Sequence, residues 1–377
     1  MIRHYIRHLD YLMLATVLSI SAFGLWIMKN ATRNDPGNLY GHQVVYVALG
    51  VVAMLAVAAI PPAWLRRIHW PLYLFVLGSV LAVLAVGRSV NGAARWITFA
   101  GFQFQPSEFA KVLLIVGLAA LLASRRGITK PGRLTVMAIA YIGVPAALVF
   151  KEPDFGTSLV LAAMLMGMLF IYGAPWRHFV WMILAGAVAL ALIFSILPGA
   201  GIQVLQTYQV DRITAFLHPD RLDPQQNGYN LQQSEAAVQH GGVGGTGVHN
   251  ATQTLLGYLP ENATDFVFAV VGEERGFIGA TWLIALYALL LWRGLKVITK
   301  SHSTFGSLVA AGVVSMLLFQ ITINIGMTIG LAPITGIPLP FMSFGGSHTL
   351  TNLLAVGILQ AIHVHAAAVD EPRLMPA

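Results

Sequence analysis

The sequence contains no cysteine and very little charge. The lack of cysteine excludes disulfides, thiol nucleophiles and cysteine metal sites, and it gives no indication of the redox state of the compartment. Asp, Glu, Lys and Arg make up only 10% of the 377 residues, whereas 57% are hydrophobic and the mean hydropathy is +0.73. A soluble core cannot bury that much apolar surface, so we predict an integral membrane protein.

Two kinds of binding motif are also missing from the sequence. It has no Gly-x-x-x-x-Gly-Lys-Ser/Thr loop, so nothing in it indicates nucleotide-driven transport. Its 12 histidines are scattered and lack the spacing of metal ligands. The net charge of +7 is explained by Lys and Arg in cytoplasmic loops beside anionic lipid, and nucleic acid is not an expected partner.

The apolar residues fall into about ten segments, each close to the roughly 20 residues that a helix needs to cross a membrane. We therefore predict an all-α polytopic membrane protein in which residues 1–377 form a single membrane domain. The first segment has no small-residue cleavage site, which favours a transmembrane helix over a cleaved signal. The predicted spans are Tyr11–Met28, Gly41–Ile60, His69–Gly87, Ser107–Ala123, Leu134–Phe150, Phe155–Tyr172, His178–Leu197, Phe266 or Gly276 to Trp292, Thr304–Leu331 and Ser347–His365.

Basic residues occur on alternate loops, which are those on the side of the N-terminus. The positive-inside rule makes these loops cytoplasmic, and an even number of spans places both termini on that side. Nearly every acidic residue then lies at or beyond the outer face, where we expect the chemistry to take place. The basic residues on these alternate loops are Arg3, Arg7, Arg66, Arg67, Arg125, Arg126, Lys130, Arg133, Arg177, Arg293, Lys296 and Lys300.

The large loop of residues 199–265, between predicted spans seven and eight, is too long for a simple connection. Polar loops of this size are usually functional or disordered. Apolar residues at helical spacing predict an amphipathic helix over Ile202–Leu217 on the outer leaflet, and a short helix follows over Gln232–Val238. The glycine-dense stretch GGVGGTGVHN either lets backbone amides approach a ligand or forms a flexible hinge.

Asp265 is the first candidate for chemistry, because it lies in an acidic stretch, Gly257–Gly279, at the junction of the polar loop and an apolar helix. One interpretation places it in the first turn of a helix capped by Asn262, where a carboxylate is favourable. The other is that desolvation beside the apolar residues 266–268 raises its pKa toward that of a general base. The two interpretations are compatible.

Four further charged residues lie at or near predicted outer ends of spans. Glu108 and Lys111 are three residues apart, so a helix places them on one face as either a functional site or a structural ion pair. Arg95 stands beside Trp96 and either meets a lipid phosphate or acts as an ordinary interfacial anchor. Asp154 follows a proline where a span restarts, which also fits a simple helix cap.

The stretch GIPLPFMSFGGSHTLTN, Gly336–Asn352, interrupts the chain between the last two spans with two prolines and three glycines. Irregular backbone at membrane depth is tolerated where it is buried in protein or lines a cavity. We therefore predict either a cavity lining or a tightly packed hairpin.

Together these stretches resemble the SEDS family of polytopic membrane proteins, and within it the RodA branch rather than FtsW. The resemblance covers nearly the whole chain. The sequence departs from the family pattern at Ala263, Arg275 and Phe344, where relatives often have His, Leu and Tyr, so no His-dependent role is expected at 263. The motifs that carry the resemblance are GAARWI, QPSEFAKV, KEPDFGTSLV, DRITAFLHPDRLDPQQNGYNLQQSEAAVQHGGVGGTG, YLPENATDFVFAVVGEERGFIG, ITGIPLPFMSFGGS and IHVH.

The resemblance implies ten transmembrane helices and a peptidoglycan glycosyltransferase that polymerises lipid II at the outer face of the bacterial cytoplasmic membrane during cell elongation. Its implied partners are a class B penicillin-binding protein as transpeptidase and the elongation machinery. The matched motifs make Asp265 the catalytic residue. The residues expected to bind substrate are Arg95, Glu108, Lys111, Asp154, Glu261 and Ser343.

In the expected reaction, Asp265 takes the proton of the acceptor GlcNAc 4-hydroxyl as that oxygen attacks C1 of the donor MurNAc. Undecaprenyl diphosphate leaves, and its growing charge needs stabilisation. Arg95, Lys111 or a bound divalent cation, Mg²⁺ or Mn²⁺, are the candidates for that role. A lipid II flippase is the alternative, with a polar path to the cytoplasmic side as its signature. A scaffold that recruits the transpeptidase explains the charged residues least.

Overall fold

The computed structural model describes residues 7–33, 37–86, 88–90, 93–99, 102–193, 210, 212, 216, 227–259 and 261–370. Helices dominate this part of the chain, and three short strands form its sheet. The helices are α1 (Tyr11–Ala31), α2 (Leu39–Ala58), α3 (Pro62–Arg67), α4 (His69–Val86), α5 (Pro106–Arg125), α6 (Pro131–Lys151), α7 (Phe155–Tyr172), α8 (Trp176–Ala191), α9 (Asn227–Gly241), α10 (Thr252–Leu255), α11 (Val267–Lys300), α12 (Thr304–Thr328) and α13 (Gly346–Asp370), and the strands are β1 (Arg88–Val90), β2 (Ala93–Phe99) and β3 (Phe102–Phe104).

The helices confirm an all-α polytopic membrane protein. Eight of those described, α1, α2, α5, α6, α7, α11, α12 and α13, are long and apolar enough to cross a membrane. The shorter apolar helices α4 and α8 occupy the third and seventh predicted spans. Of the two starts considered for the eighth span, the helix takes the earlier, at Val267, and is broken at Gly276. That residues 1–377 form a single domain stays a prediction.

The bundle has a buried centre and a lipid-facing periphery. Most residues of α5, α12 and α13 are buried, and α13 packs along α2 while α12 packs between α7 and α11. No residue of α8, Trp176–Ala191, is buried. A helix that is apolar on all sides is stable in this exposed position because lipid, rather than water, surrounds it.

Side chains that bond to backbone N–H groups fix where several helices begin. Asp10 accepts a hydrogen bond from the Met13 amide (3.0 Å) at the start of α1, and Ser303 accepts one from the Gly306 amide (3.0 Å) at the start of α12. Proline stands at the first position of α5 and α6, where the missing N–H costs nothing. α7 ends at Gly173, whose φ of 90° only glycine adopts readily.

An antiparallel sheet, ordered β1-β2-β3, connects α4 to α5. The sequence analysis treated GAARWI as an interfacial stretch and missed these strands. The signal was present in WITFAGFQF, where two runs of aromatic and β-branched residues flank an Ala-Gly pair. The sheet matters for the site because β2 carries Arg95.

The glycine-dense segment after α9 packs against the break in α11. Gly276 has φ 62° and ψ −160°, and the turn after α9 supplies bonds around it: the amides of Thr246 and Gly247 donate to the carbonyls of Glu273 (2.9 Å) and Glu274 (3.1 Å). A Cβ at Gly245 or Gly276 would collide with the facing backbone. The close approach that Gly245 and Gly276 permit is therefore between this segment and α11, and a role of the segment in ligand binding or as a hinge stays a prediction.

The large loop is described in part. The helix predicted over Gln232–Val238 is confirmed and is longer, because α9 runs from Asn227 to Gly241 and packs on α11. The amphipathic helix predicted over Ile202–Leu217 lies outside the described residues except for Val210, Arg212 and Phe216, which are helical.

Candidate functional site

Four helices begin at one end of the bundle and come together there: α5, α7, α11 and α13. The Gln105 amide before α5 donates to Ser347 Oγ on α13 (2.9 Å), and Ser107 Oγ on α5 donates to Asp154 Oδ2 before α7 (3.0 Å). Helix N-termini expose backbone N–H groups and carry partial positive charge, so this end of the bundle favours an anionic ligand.

The turn that carries Asp265 is held by hydrogen bonds from two other segments. Asn324 on α12, which is fully buried, donates from Nδ2 to the carbonyl oxygens of Asp265 (2.9 Å) and Ile337 (2.8 Å). Ser343 Oγ donates to the Thr264 carbonyl (2.5 Å). These bonds lock the turn against the interrupted stretch before α13, which is a tightly packed segment whose backbone also borders the site.

The cap interpretation of Asp265 is wrong in its geometry. α11 begins at Val267, its N-cap position is Phe266, and no side chain caps it. Asp265 therefore precedes the helix instead of lying in its first turn, and Asn262 is not its cap. The helix starts late because residues 261–266 form a separate turn, in which the Phe266 amide donates to the Glu261 carbonyl (3.2 Å).

The Asp265 carboxyl is partly buried and lies beside Arg212 over the backbone of Gly336. A Cβ built at Gly336 would be 3.5 Å from Asp265 Oδ2 and 2.7 Å from Arg212 Nη1, and Gly336 has φ +70°. Burial raises the pKa of Asp265, the Arg212 guanidinium opposes that rise, and the Glu261 carboxylate adds to it. The desolvation interpretation is thus supported by the structure, which also adds Arg212, a residue that the sequence analysis did not select.

A buried ion pair joins α5 to α13. Lys111 Nζ is 2.7 Å from Glu108 Oε1, which confirms the predicted contact. Glu108 Oε2 is also 3.1 Å from Nδ1 of His348, a buried residue in the first turn of α13. Sequence reasoning missed His348, although GGSHTLTN marks a titratable residue where a span begins. Whether this cluster is structural or functional stays open.

Arg95 reaches from β2 to the connection between α6 and α7. Its Nε donates to the Glu152 carbonyl (3.1 Å), and Nη2 donates to the Pro153 carbonyl. Asp154 Oδ1 accepts a hydrogen bond from the Thr157 amide (3.1 Å), which confirms that it caps α7. Roles for Arg95 and Asp154 in binding substrate stay predictions.

Glu152 is a third residue, after Arg212 and His348, that sequence reasoning left out of the site. It is 1% exposed, and among the described residues neither of its carboxyl oxygens has a hydrogen-bond partner. Burial raises the pKa of Glu152 to about 8, with a contribution from Asp154 and partial opposition from Arg95. No sequence pattern distinguishes this carboxyl from a solvated one, because its burial depends on how the sheet covers the helix connection.

The last two predicted site residues differ in exposure. Glu261 is exposed, and its Oε2 accepts a hydrogen bond from Thr264 Oγ1 (2.7 Å). Ser343 is fully buried, and besides donating to Thr264 it accepts a hydrogen bond from the Leu339 amide (2.8 Å). In the described part of the chain no three His, Asp or Glu side chains are grouped closely enough to hold a metal ion.

Comparisons with known proteins agree over nearly the whole chain. A family model described as cell cycle protein, which represents FtsW, RodA and SpoVE, matches residues 3–368. The chain is 36% identical to the peptidoglycan glycosyltransferase MrdB of Escherichia coli K12 over 363 residues, covering 95% of this chain and 94% of that protein. It is 36% identical to stage V sporulation protein E of Bacillus subtilis 168, covering 93% and 95%.

Two solved structures are similar to this fold. One comes from a study of the structural coordination of polymerization and crosslinking by a peptidoglycan synthase complex, with a TM-score of 0.79, 30% identity, and coverage of 95% of this chain and 98% of that one. The other is the rod shape determining protein RodA of Thermus thermophilus, with a TM-score of 0.69, 28% identity, and coverage of 94% and 96%.

Proposed function

The chain belongs to the SEDS family of FtsW, RodA and SpoVE and is a peptidoglycan glycosyltransferase of cell-wall synthesis, and we propose that it polymerises lipid II into β-1,4 glycan strands during cell elongation. The observation that carries the proposal is Asp265, a partly exposed residue whose carboxyl has a raised pKa and lies beside Arg212 at the end of the bundle where α5, α7, α11 and α13 begin.

Asp265 is the general base of the proposed reaction. It takes the proton of the acceptor GlcNAc 4-hydroxyl while that oxygen forms a bond to C1 of the donor MurNAc. The bond between C1 and the diphosphate oxygen breaks at the same time, and undecaprenyl diphosphate leaves with the electron pair. A base with a raised pKa holds the abstracted proton better, and such help is worth roughly 10²- to 10⁴-fold in rate.

The leaving diphosphate needs positive charge near the same place. Lys111 is a poor candidate because it is 1% exposed and its ammonium group already bonds to Glu108. Arg212 is a better one because it lies beside Asp265, and the converging helix N-termini add to the positive potential. If Mg²⁺ or Mn²⁺ takes part, Asp265 and Glu261 are the carboxylates that would hold it together with the diphosphate.

The site faces the outside of the bacterial cytoplasmic membrane, and both termini are cytoplasmic. The basis for this orientation is the concentration of Lys and Arg at the opposite end of the bundle, where α5 and α11 end in Arg125 and Lys300. An outward-facing site suits a substrate whose polyprenyl tail remains in the bilayer while its sugars lie at the surface.

The proposed partner is a class B penicillin-binding protein that acts within the elongation machinery as the transpeptidase. The similar structure from a peptidoglycan synthase complex that coordinates polymerization and crosslinking supports this pairing. Partner contacts are made through lipid-facing helices together with the large loop.

The test is glycan formation from purified lipid II by the protein with its cognate class B partner. Asp265→Asn should lower the polymerisation rate at least about 100-fold while thermal stability is retained. Glu235→Gln is the matched control, because Glu235 lies on α9 against Gly330 and is not among the charged groups that shift the pKa of Asp265. Activity of Asp265→Asn within a few-fold of wild type would refute the base assignment. Transport of labelled lipid II across proteoliposomes, with no polymer formed, would favour the flippase.

A further inference from the structure

A polar cavity lies at the opposite end of the bundle from Asp265. Its volume is about 320 Å³, and it is an open cleft between the ends of α5, α7 and α11 and the start of α12. Ligand pockets in proteins begin at roughly 300 Å³, so the cavity is large enough for a small polar group. The lining residues that carry a polar group are Arg126, Tyr172, Ser301, His302, Ser303, Thr304 and Ser307.

The cavity is suited to a negative charge. Arg126 Nη1 donates to Thr304 Oγ1 (2.7 Å), which fixes the guanidinium at the rim and uses one of its five N–H donors. The positive end of α12 adds to this charge, since Ser303 and Thr304 both line the cavity. None of the described lining residues is acidic.

The remaining walls are apolar and lead toward the lipid. Ile171, Ile298 and Leu308 line the cavity beneath the hydroxyl groups. Ile171 is 40% exposed and its neighbour Phe170 is 72% exposed, so the apolar wall continues onto the outer surface of α7. A cationic rim that opens onto a lipid-facing apolar surface matches an amphiphile better than a soluble anion.

We propose that this cavity binds the phosphodiester headgroup of an anionic glycerophospholipid, with its acyl chains along Phe170 and Ile171. On the orientation proposed above, the lipid belongs to the cytoplasmic leaflet, where basic pockets between transmembrane helices bind such headgroups. One fixed guanidinium matches one phosphodiester charge. The volume holds a headgroup and leaves the chains outside. The site is independent of the catalytic role of Asp265.

The experiment is a titration of the detergent-purified full chain with phosphatidylglycerol, with bound lipid counted by native mass spectrometry. Arg126→Ala should weaken binding about 5-fold, the effect of one basic residue near a membrane surface. Arg125→Ala is the matched control, because it removes the same charge from an exposed neighbour outside the cavity lining. Equal losses in both variants, or none in either, would overturn the proposal.

A second variant tests the cavity without a change of charge. Ser307→Phe fills the space and should also lower phosphatidylglycerol binding, and unchanged binding in a folded Ser307→Phe protein would contradict the assignment. Competition identifies the source of the phosphate. Displacement by millimolar inorganic phosphate would show a site for soluble anions, and preferential binding of undecaprenyl phosphate would show a polyprenyl site. Either result would replace the phospholipid.

Discussion

The buried carboxyl of Glu152 should make the stability of this protein fall as pH rises from mildly acidic to mildly alkaline. In the unfolded chain this group has a pKa near 4.5, and in the folded protein burial raises it to about 8. The folded state therefore binds more protons than the unfolded state between these values. The contribution is complete below pH 4.5 and is lost progressively as pH rises toward 8 and beyond.

The size of the effect follows from the width of this window. One pH unit inside it changes the free energy of unfolding by about 1.4 kcal/mol, and the slope flattens as pH approaches the folded-state pKa. From pH 6 to pH 8 the loss due to Glu152 is about 2 kcal/mol.

Glu152→Gln removes the ionisation and should remove that part of the pH dependence. Thermal unfolding in detergent, followed by the fluorescence of the eight tryptophans, should show a drop in Tm of about 2–3 °C in wild type between pH 6 and pH 8, and a clearly smaller one in the variant. Glu235→Gln, on α9, serves as the control and should retain the wild-type drop. The same drop in Glu152→Gln as in wild type would refute the reasoning.

Two further substitutions test the surroundings of Asp265 and the buried ion pair. Gly336→Ala should lower glycan synthesis at least about 10-fold, because the added methyl group displaces Arg212 from Asp265. Gly330→Ala is the control, since Gly330 also has a positive φ (+73°) but lies against Glu235, and it should cost about 1 kcal/mol of stability and little activity. Equal loss of activity in the two variants would contradict this prediction. Lys111→Met should destabilise the protein by about 3 kcal/mol, because it leaves the Glu108 carboxylate buried with His348 alone. In thermal unfolding, the double variant Lys111→Met with Glu108→Gln should recover most of that loss. Additive losses would count against a coupled pair.

Sequence pattern was sufficient for the elements whose structure depends on local residues. Apolar runs near membrane length gave the spans, and the cap of α7 by Asp154 follows from its position between a proline and an apolar run. The start of α11 was harder to predict from the sequence, because the cap proposed at Asn262 and the observed turn of residues 261–266 use the same polar residues. What decides between them is the bond from Asn324, which lies 59 residues further along the chain than Asp265.

The parts of the site that were missed depend on contacts across long sequence distances. His348 meets Glu108 240 residues away, and no local pattern specifies that approach. The burial of Glu152 likewise results from the fold of the α6–α7 connection under Arg95. Arg212 was overlooked because a basic residue in a long polar segment is expected to be solvated, and its position beside Gly336 and Asp265 depends on contacts more than 50 residues away in the sequence.

Burial separates the roles of the residues that the family resemblance placed in the site. Glu108, Lys111, Asp154 and Ser343 are nearly inaccessible, and each bonds to other groups of the protein. A buried and hydrogen-bonded group fixes the position of its neighbours and the electrostatic potential around them. It cannot exchange a proton with a sugar hydroxyl unless the site first opens. Asp265 is a partly exposed residue, and other residues hold its backbone. A general base needs this combination of fixed position and access, because the proton must be reached at hydrogen-bond distance.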